Sequence, residues 1–138
     1  MAGIRIVTDS TTDLPKELLN KYDIEVIPLS VYVDGETYLD NVTITPLEFI
    51  ERMRGSSELP KTSLPPVGVF VDTYNRLGEN GDTILSIHMA SGLSGTYNAA
   101  CLAAEMTTMP AFSAFAFSAT RAVWTLPVAA DASSTLQT

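Results

Sequence analysis

Ser91-Gly92-Leu93-Ser94-Gly95-Thr96 concentrates hydroxyls and glycines in one short turn. The turn follows an apolar run, Thr83 to Met89, that reads as a buried strand. It precedes Tyr97 to Met106, which reads as a helix. At such a junction free backbone N–H groups converge, and the helix dipole favours negative charge. Gly92 and Gly95 let the backbone come close to a ligand, and the hydroxyls of Ser91 and Ser94 add donors. The chemistry expected here is the holding of a small anionic group, a carboxylate or a phosphate.

Bond-making chemistry is not expected at this turn. Gly95 follows Ser94 directly, so the segment is not a Gly-x-Ser-x-Gly nucleophile elbow. The chain has one histidine, His88, whose place in an apolar run reads as structural. Ser94 also has a plain alternative role as a helix cap. No Walker lysine and no Gly-x-Gly-x-x-Gly fingerprint is present. One histidine and one cysteine, Cys101, give no metal-ligand spacing. Neither catalytic residues nor a cofactor or metal is therefore expected.

Two further polar segments belong beside this turn. Asp9-Ser10-Thr11-Thr12-Asp13 ends a short strand, Ile4 to Thr8, and Lys61-Thr62-Ser63-Leu64-Pro65-Pro66 precedes a helical pattern. Ser10 and Ser63 are candidate head-group contacts. Asp9 and Asp13 read as turn and cap residues, since a carboxylate at the mouth would repel an anion.

The elements that position these loops alternate. Thr12 or Asp13 is expected to cap a helix with Pro15 in its first turn and Leu14, Leu18, Leu19 and Tyr22 at helical spacing. Glu25 to Val33 reads as one strand, placed at an edge or interrupted by Pro28. Asp34-Gly35 is a turn signal with a hairpin return over Glu36 to Asp40. Thr45-Pro46-Leu47-Glu48 reads as an N-cap, a proline at N1 and a capping-box carboxylate, opening a helix that stops near Gly55. Residues 56–63 read as a polar loop, and Val69, Phe70, Thr73, Tyr74 and Leu77 as a helix ending at Gly78. Strands alternating with helices imply an α/β fold, a Rossmann-like parallel sheet with flanking helices. A ligand then belongs outside the carboxyl ends of the strands, where loops 9–13, 61–66 and 91–96 are expected to converge.

The net charge of −8 and a pI near 4.4 argue against a nucleic-acid footprint. No apolar run is long enough to span a membrane, and no signal-peptide pattern opens the chain, so a cytoplasmic setting is expected. The texture changes at Thr107. Residues 107–138 carry Arg121 and Asp131 as their only charges, unlike a solvated domain surface. Residues 1–106 are read as the folded domain. The remainder is read as an atypical tail, with a strand at 112–117 and then a disordered or frameshift-derived end.

Three segments together resemble one family. Val7-Thr8-Asp9-Ser10-Thr11-Thr12-Asp13-Leu14, Lys61-Thr62-Ser63-Leu64-Pro65-Pro66 and Ser86-Ile87-His88-Met89-Ala90-Ser91-Gly92-Leu93-Ser94-Gly95-Thr96-Tyr97 are similar, in order and spacing, to the motifs of DegV-type bacterial fatty-acid-binding proteins. The resemblance covers residues 3–106 and implies the N-terminal α/β domain of that family. It implies that a long-chain fatty acid is bound by its carboxylate, with Thr62 and Ser94 at the carboxylate-binding positions. It also implies presentation of that carboxylate to a separate fatty-acid kinase, the binding protein not being the catalyst. Leu64 and Pro65 depart from the family's usual Gln and Ser. The family is about twice as long, so the chain reads as truncated and binding as impaired. Two competing readings remain: an enzyme or binding module for a small phosphorylated substrate, and a non-functional fragment.

Overall fold

A computed structural model of the chain describes residues 3–107 and the backbone of residues 115–118. The elements run β1 (Ile4–Asp9), a 3-10 turn (Ser10–Thr12), α1 (Lys16–Lys21), β2 (Ile24–Ile27), β3 (Ser30–Val33) and β4 (Glu36–Leu39). They continue through α2 (Pro46–Gly55), β5 (Lys61–Ser63), α3 (Val67–Gly78), β6 (Thr83–His88), α4 (Thr96–Met106) and β7 (Phe115–Ser118). The main sheet is parallel, in the order β2-β1-β6-β7. This is the expected Rossmann-like α/β architecture. β7 falls partly within the stretch read as a strand at 112–117; residues 112–114, and the tail expected beyond 118, lie outside the described residues.

The core forms where the central strands meet α3 and α4. Val7, Ile27 and Ile84 supply the sheet side, and Phe70, Tyr74 and Leu77 the α3 side. From α4 come Ala99, Ala100 and Ala103, whose small side chains let that helix lie close to its neighbours. Full burial of a side chain such as Phe70 contributes about 1.5–3 kcal/mol.

Four local expectations need correction. Glu25 to Val33 is two strands in two different sheets, not one. Pro28 has no N–H to give a ladder, and the next N–H, of Leu29, goes to Ser10 Oγ at 3.1 Å instead. β3 then leads an antiparallel sheet of order β4-β3-β5. Lys61 to Ser63, expected to be loop, is the edge strand of that sheet, with Thr62 opposite Val31. Neither Thr12 nor Asp13 caps α1. They belong to a 3-10 turn capped by Asp9, after which Asp13 takes a left-handed conformation (φ 49) and Pro15 occupies the α1 N-cap position. Lastly, α3 begins at Val67, directly after Pro66, rather than at Val69.

The helix at Thr45 starts as expected. Thr45 Oγ1 accepts the Glu48 N–H, and Glu48 Oε2 accepts the Thr45 N–H at 2.8 Å. α2 packs on β3, yet none of its residues is fully buried.

Candidate functional site

β1 and β6 are parallel neighbours, with Thr8 beside Ile87. The loops that leave their carboxyl ends therefore start side by side. Asp9 is 1% exposed and joins them. Its Oδ1 accepts from the Thr11 N–H at 3.0 Å and from the Thr11 hydroxyl. Its Oδ2 lies 2.9 Å from His88 Nδ1 and accepts the Met89 N–H at 3.2 Å. Burial pushes the Asp9 carboxyl up, but the hydrogen bonds from His88 and Thr11 and the charge interaction with His88 outweigh it. The group is held below the ordinary aspartate value.

His88 continues the chain inward. Its Nε2 lies 2.6 Å from Ser86 Oγ, which lies 2.7 Å from Tyr74 Oη. The Phe70 ring packs edge-on against the imidazole at 5.3 Å. In the neutral ring, Nδ1–H donating to Asp9 leaves Nε2 to accept the Ser86 hydroxyl proton. Asp9, His88 and Ser86 thus reproduce the atom order of a hydrolytic triad. Ser86 is wholly buried, however, and no carbonyl can reach it. The expectation of a structural His88 agrees with these contacts. Sequence reading missed the Asp9 partnership. The local signal was the spacing of Ser86 and His88, which alternation along β6 puts on one face.

The turn itself begins after Met89. The buried Ala90 turns its carbonyl to accept the N–H groups of Leu93, at 2.9 Å, and Ser94, at 3.1 Å. The Ser94 hydroxyl accepts the Thr96 N–H at 3.2 Å and pairs with the Thr96 hydroxyl at 2.8 Å. Ser94 is half-buried, so its hydroxyl is oriented while still reachable. Ser91 and Gly92 are exposed. No acidic residue stands in the first turn of α4, so the positive end of its dipole is not offset there. Neither glycine is demanded by the backbone. Gly95 is right-handed (φ −71), and a Cβ on Gly92 would meet nothing within 4 Å.

The 61–66 segment meets this turn through Leu64. A Cβ on Gly95 would stand 3.1 Å from Leu64 Cδ2. Thr62 and Ser63 are exposed on β5, just before that contact. The three polar segments are therefore linked in space: Asp9 accepts the Met89 N–H, and Leu64 lies beside Gly95. Ser10 is placed differently. It is 2% exposed and its hydroxyl is committed to Leu29, which puts it in the frame beneath the loops. It lines one wall of a separate groove of about 440 Å³, with Leu14, Leu19, Val26, Pro28 and Val42 among its other walls. No residue of 61–66 or 91–96 lines that groove.

Among the described residues, no group of three or more His, Cys, Asp or Glu side chains could hold a metal. No helix among them is long and apolar enough to cross a membrane.

Comparison with known proteins matches residues 3–119 to a family model described as "Uncharacterised protein, DegV family". A DegV domain-containing protein of Staphylococcus aureus strain N315 is 50% identical over 101 residues, which is 73% of this chain and 36% of that protein. The chain thus spans about a third of the length of that curated relative. The crystal structure of DegV, a fatty acid binding protein from Bacillus subtilis, superposes with a TM-score of 0.78 at 37% identity. The match covers 86% of this chain and 41% of that one. A stearic acid-binding protein from Eubacterium ventriosum gives 0.70 at 41% identity, covering 77% and 36%.

Proposed function

The chain belongs to the DegV family, and we propose that its 90–96 turn and the hydroxyls of Thr62 and Ser94 hold the carboxylate of a long-chain fatty acid. The observation that carries this reading is the α4 N-terminus. It joins backbone N–H groups, a half-buried and oriented Ser94 hydroxyl, and a first turn free of acids, all against the loop that follows Thr62. Carboxylates are favoured at such termini. Leu93, 70% exposed, and Leu64 stand at the same mouth and offer apolar surface to the first methylenes of a chain. The two solved relatives described above bind fatty acids.

The role is binding rather than catalysis. The one imidazole, of His88, is buried beneath the turn, so it is not an accessible base beside Ser94. A carboxylate held at an open mouth remains available to a second protein, and a fatty-acid kinase is the partner such presentation suits.

The test is palmitate binding to the delipidated chain by calorimetry. Ser94→Ala and Thr62→Ala are each expected to weaken binding about tenfold or more, as a hydrogen bond to a charged group contributes about 1.5–3 kcal/mol. Methyl palmitate should bind far less well than palmitate. Equal binding of acid and ester, or no binding of either, overturns the proposal.

A further inference from the structure

We infer that Asp9 is a positioning residue for the 90–96 turn, setting from beneath the geometry that the turn presents to a ligand. This rests on reading the turn as a carboxylate site. Asp9 is 1% exposed, so its carboxylate is closed off from direct contact with a ligand. Two of its donors come from Thr11, in its own loop, and two from His88 and Met89, across the sheet. Met89 is the last residue before the turn. The next carbonyl, of Ala90, collects the N–H groups of Leu93 and Ser94. The path from the Asp9 carboxylate to the Ser94 backbone is therefore short and wholly hydrogen-bonded or covalent.

The chemistry requires a carboxylate. Each of its oxygens takes two donors, and only an acceptor-only group can do so. An asparagine would turn its NH2 towards either the Thr11 or the Met89 N–H, leaving two donors facing each other. Charge alone predicts the opposite outcome. Removing a buried negative charge from beneath an anion site would strengthen anion binding, whereas loosening the turn weakens it. The sign of the effect thus separates positioning from simple electrostatics.

The experiment compares the full chain with Asp9→Asn and with Val7→Ala, a core cut on the same strand that lowers stability without touching the turn. Amide hydrogen exchange at Met89, Leu93 and Ser94 and palmitate affinity are both read. Asp9→Asn is expected to speed exchange at those amides at least about tenfold over Val7→Ala and to weaken palmitate binding by about tenfold. Exchange matching Val7→Ala, or binding that is unchanged or tighter, overturns the inference. Should Asp9→Asn not fold, Thr11→Ala removes one donor to the carboxylate. The same shifts are then expected at about two- to fivefold, and their absence is decisive. If the native chain binds no palmitate, the carboxylate reading fails by itself, and the exchange rates alone decide the role of Asp9.

Discussion

Tyr74 Oη lies 2.7 Å from Ser86 Oγ inside the core, joining α3 to β6 by a hydroxyl pair that water does not reach. Each hydroxyl would be costly to bury alone. Together with His88 and Asp9 they form a polar file that runs from the core to the foot of the turn.

Burial of the Tyr74 phenol makes stability sensitive to alkali. Burial pushes the Tyr74 phenol up to about 12, above its ordinary value of 10.0. The folded state holds the proton more tightly, so the stabilisation is complete below pH 10 and is lost as pH rises through about 12. At about 1.4 kcal/mol per unit, up to about 3 kcal/mol is at stake. Urea unfolding between pH 8 and 12 should show this decline in the native chain and not in Tyr74→Phe. Parallel curves would disprove it.

The acid limb has the opposite sign. The Asp9 carboxyl is held below its ordinary value of 3.8, so its contribution is present above that pH. It is lost as pH falls through the folded value. The stability gap between the native chain and Asp9→Asn should narrow as pH drops from 6 towards 2.5 (on the order of the range over which such a carboxylate protonates). A constant gap over that range would show that Asp9 ionisation is not linked to folding.

The capping box at α2 is expected to matter more locally than globally. With no fully buried residue, α2 relies on Thr45 and Glu48 to start it. Thr45→Ala should cost about 1 kcal/mol and raise amide exchange in the first turn of α2 while leaving α3 unaffected. Uniform loosening of both helices would contradict this.

Gly92 and Gly95 separate on substitution. Gly92→Ala meets no atom within 4 Å, so stability should change by less than about 0.5 kcal/mol. A fall in palmitate affinity would then report close approach of the ligand. Unchanged affinity removes Gly92 from the head-group loop. Gly95→Ala presses on Leu64 Cδ2, and its effect on binding should be relieved by adding Leu64→Ala. Additive losses in the double variant would show that the two loops are not coupled through this contact.

Much of this arrangement was legible in the residues. Apolar runs at Ile4 to Thr8 and Thr83 to Met89 marked the central strands, and the Ser/Gly turn between a strand and a helix marked the proposed anion site. β5 was not legible, because Lys61-Thr62-Ser63 carries no apolar alternation and pairs through its backbone alone. Pro28 announced an interruption but not that the chain would change sheets there. The 3-10 turn took residues that suited a helix cap equally well. Asp9 and His88 stand 79 positions apart, and no local pattern in one chain joins residues at that distance.

That separation has a kinetic consequence. β1 and β6 pair with the same long offset, Ile4 against Thr83, so the central ladder and the Asp9 bonds close together. The entropy of closing so large a loop must be met before either is rewarded, which makes such pairings slow. On the ribosome β1 would wait for almost the whole domain to emerge before finding its neighbour. The frame beneath the proposed site is thus completed late in folding, once β1 has met β6.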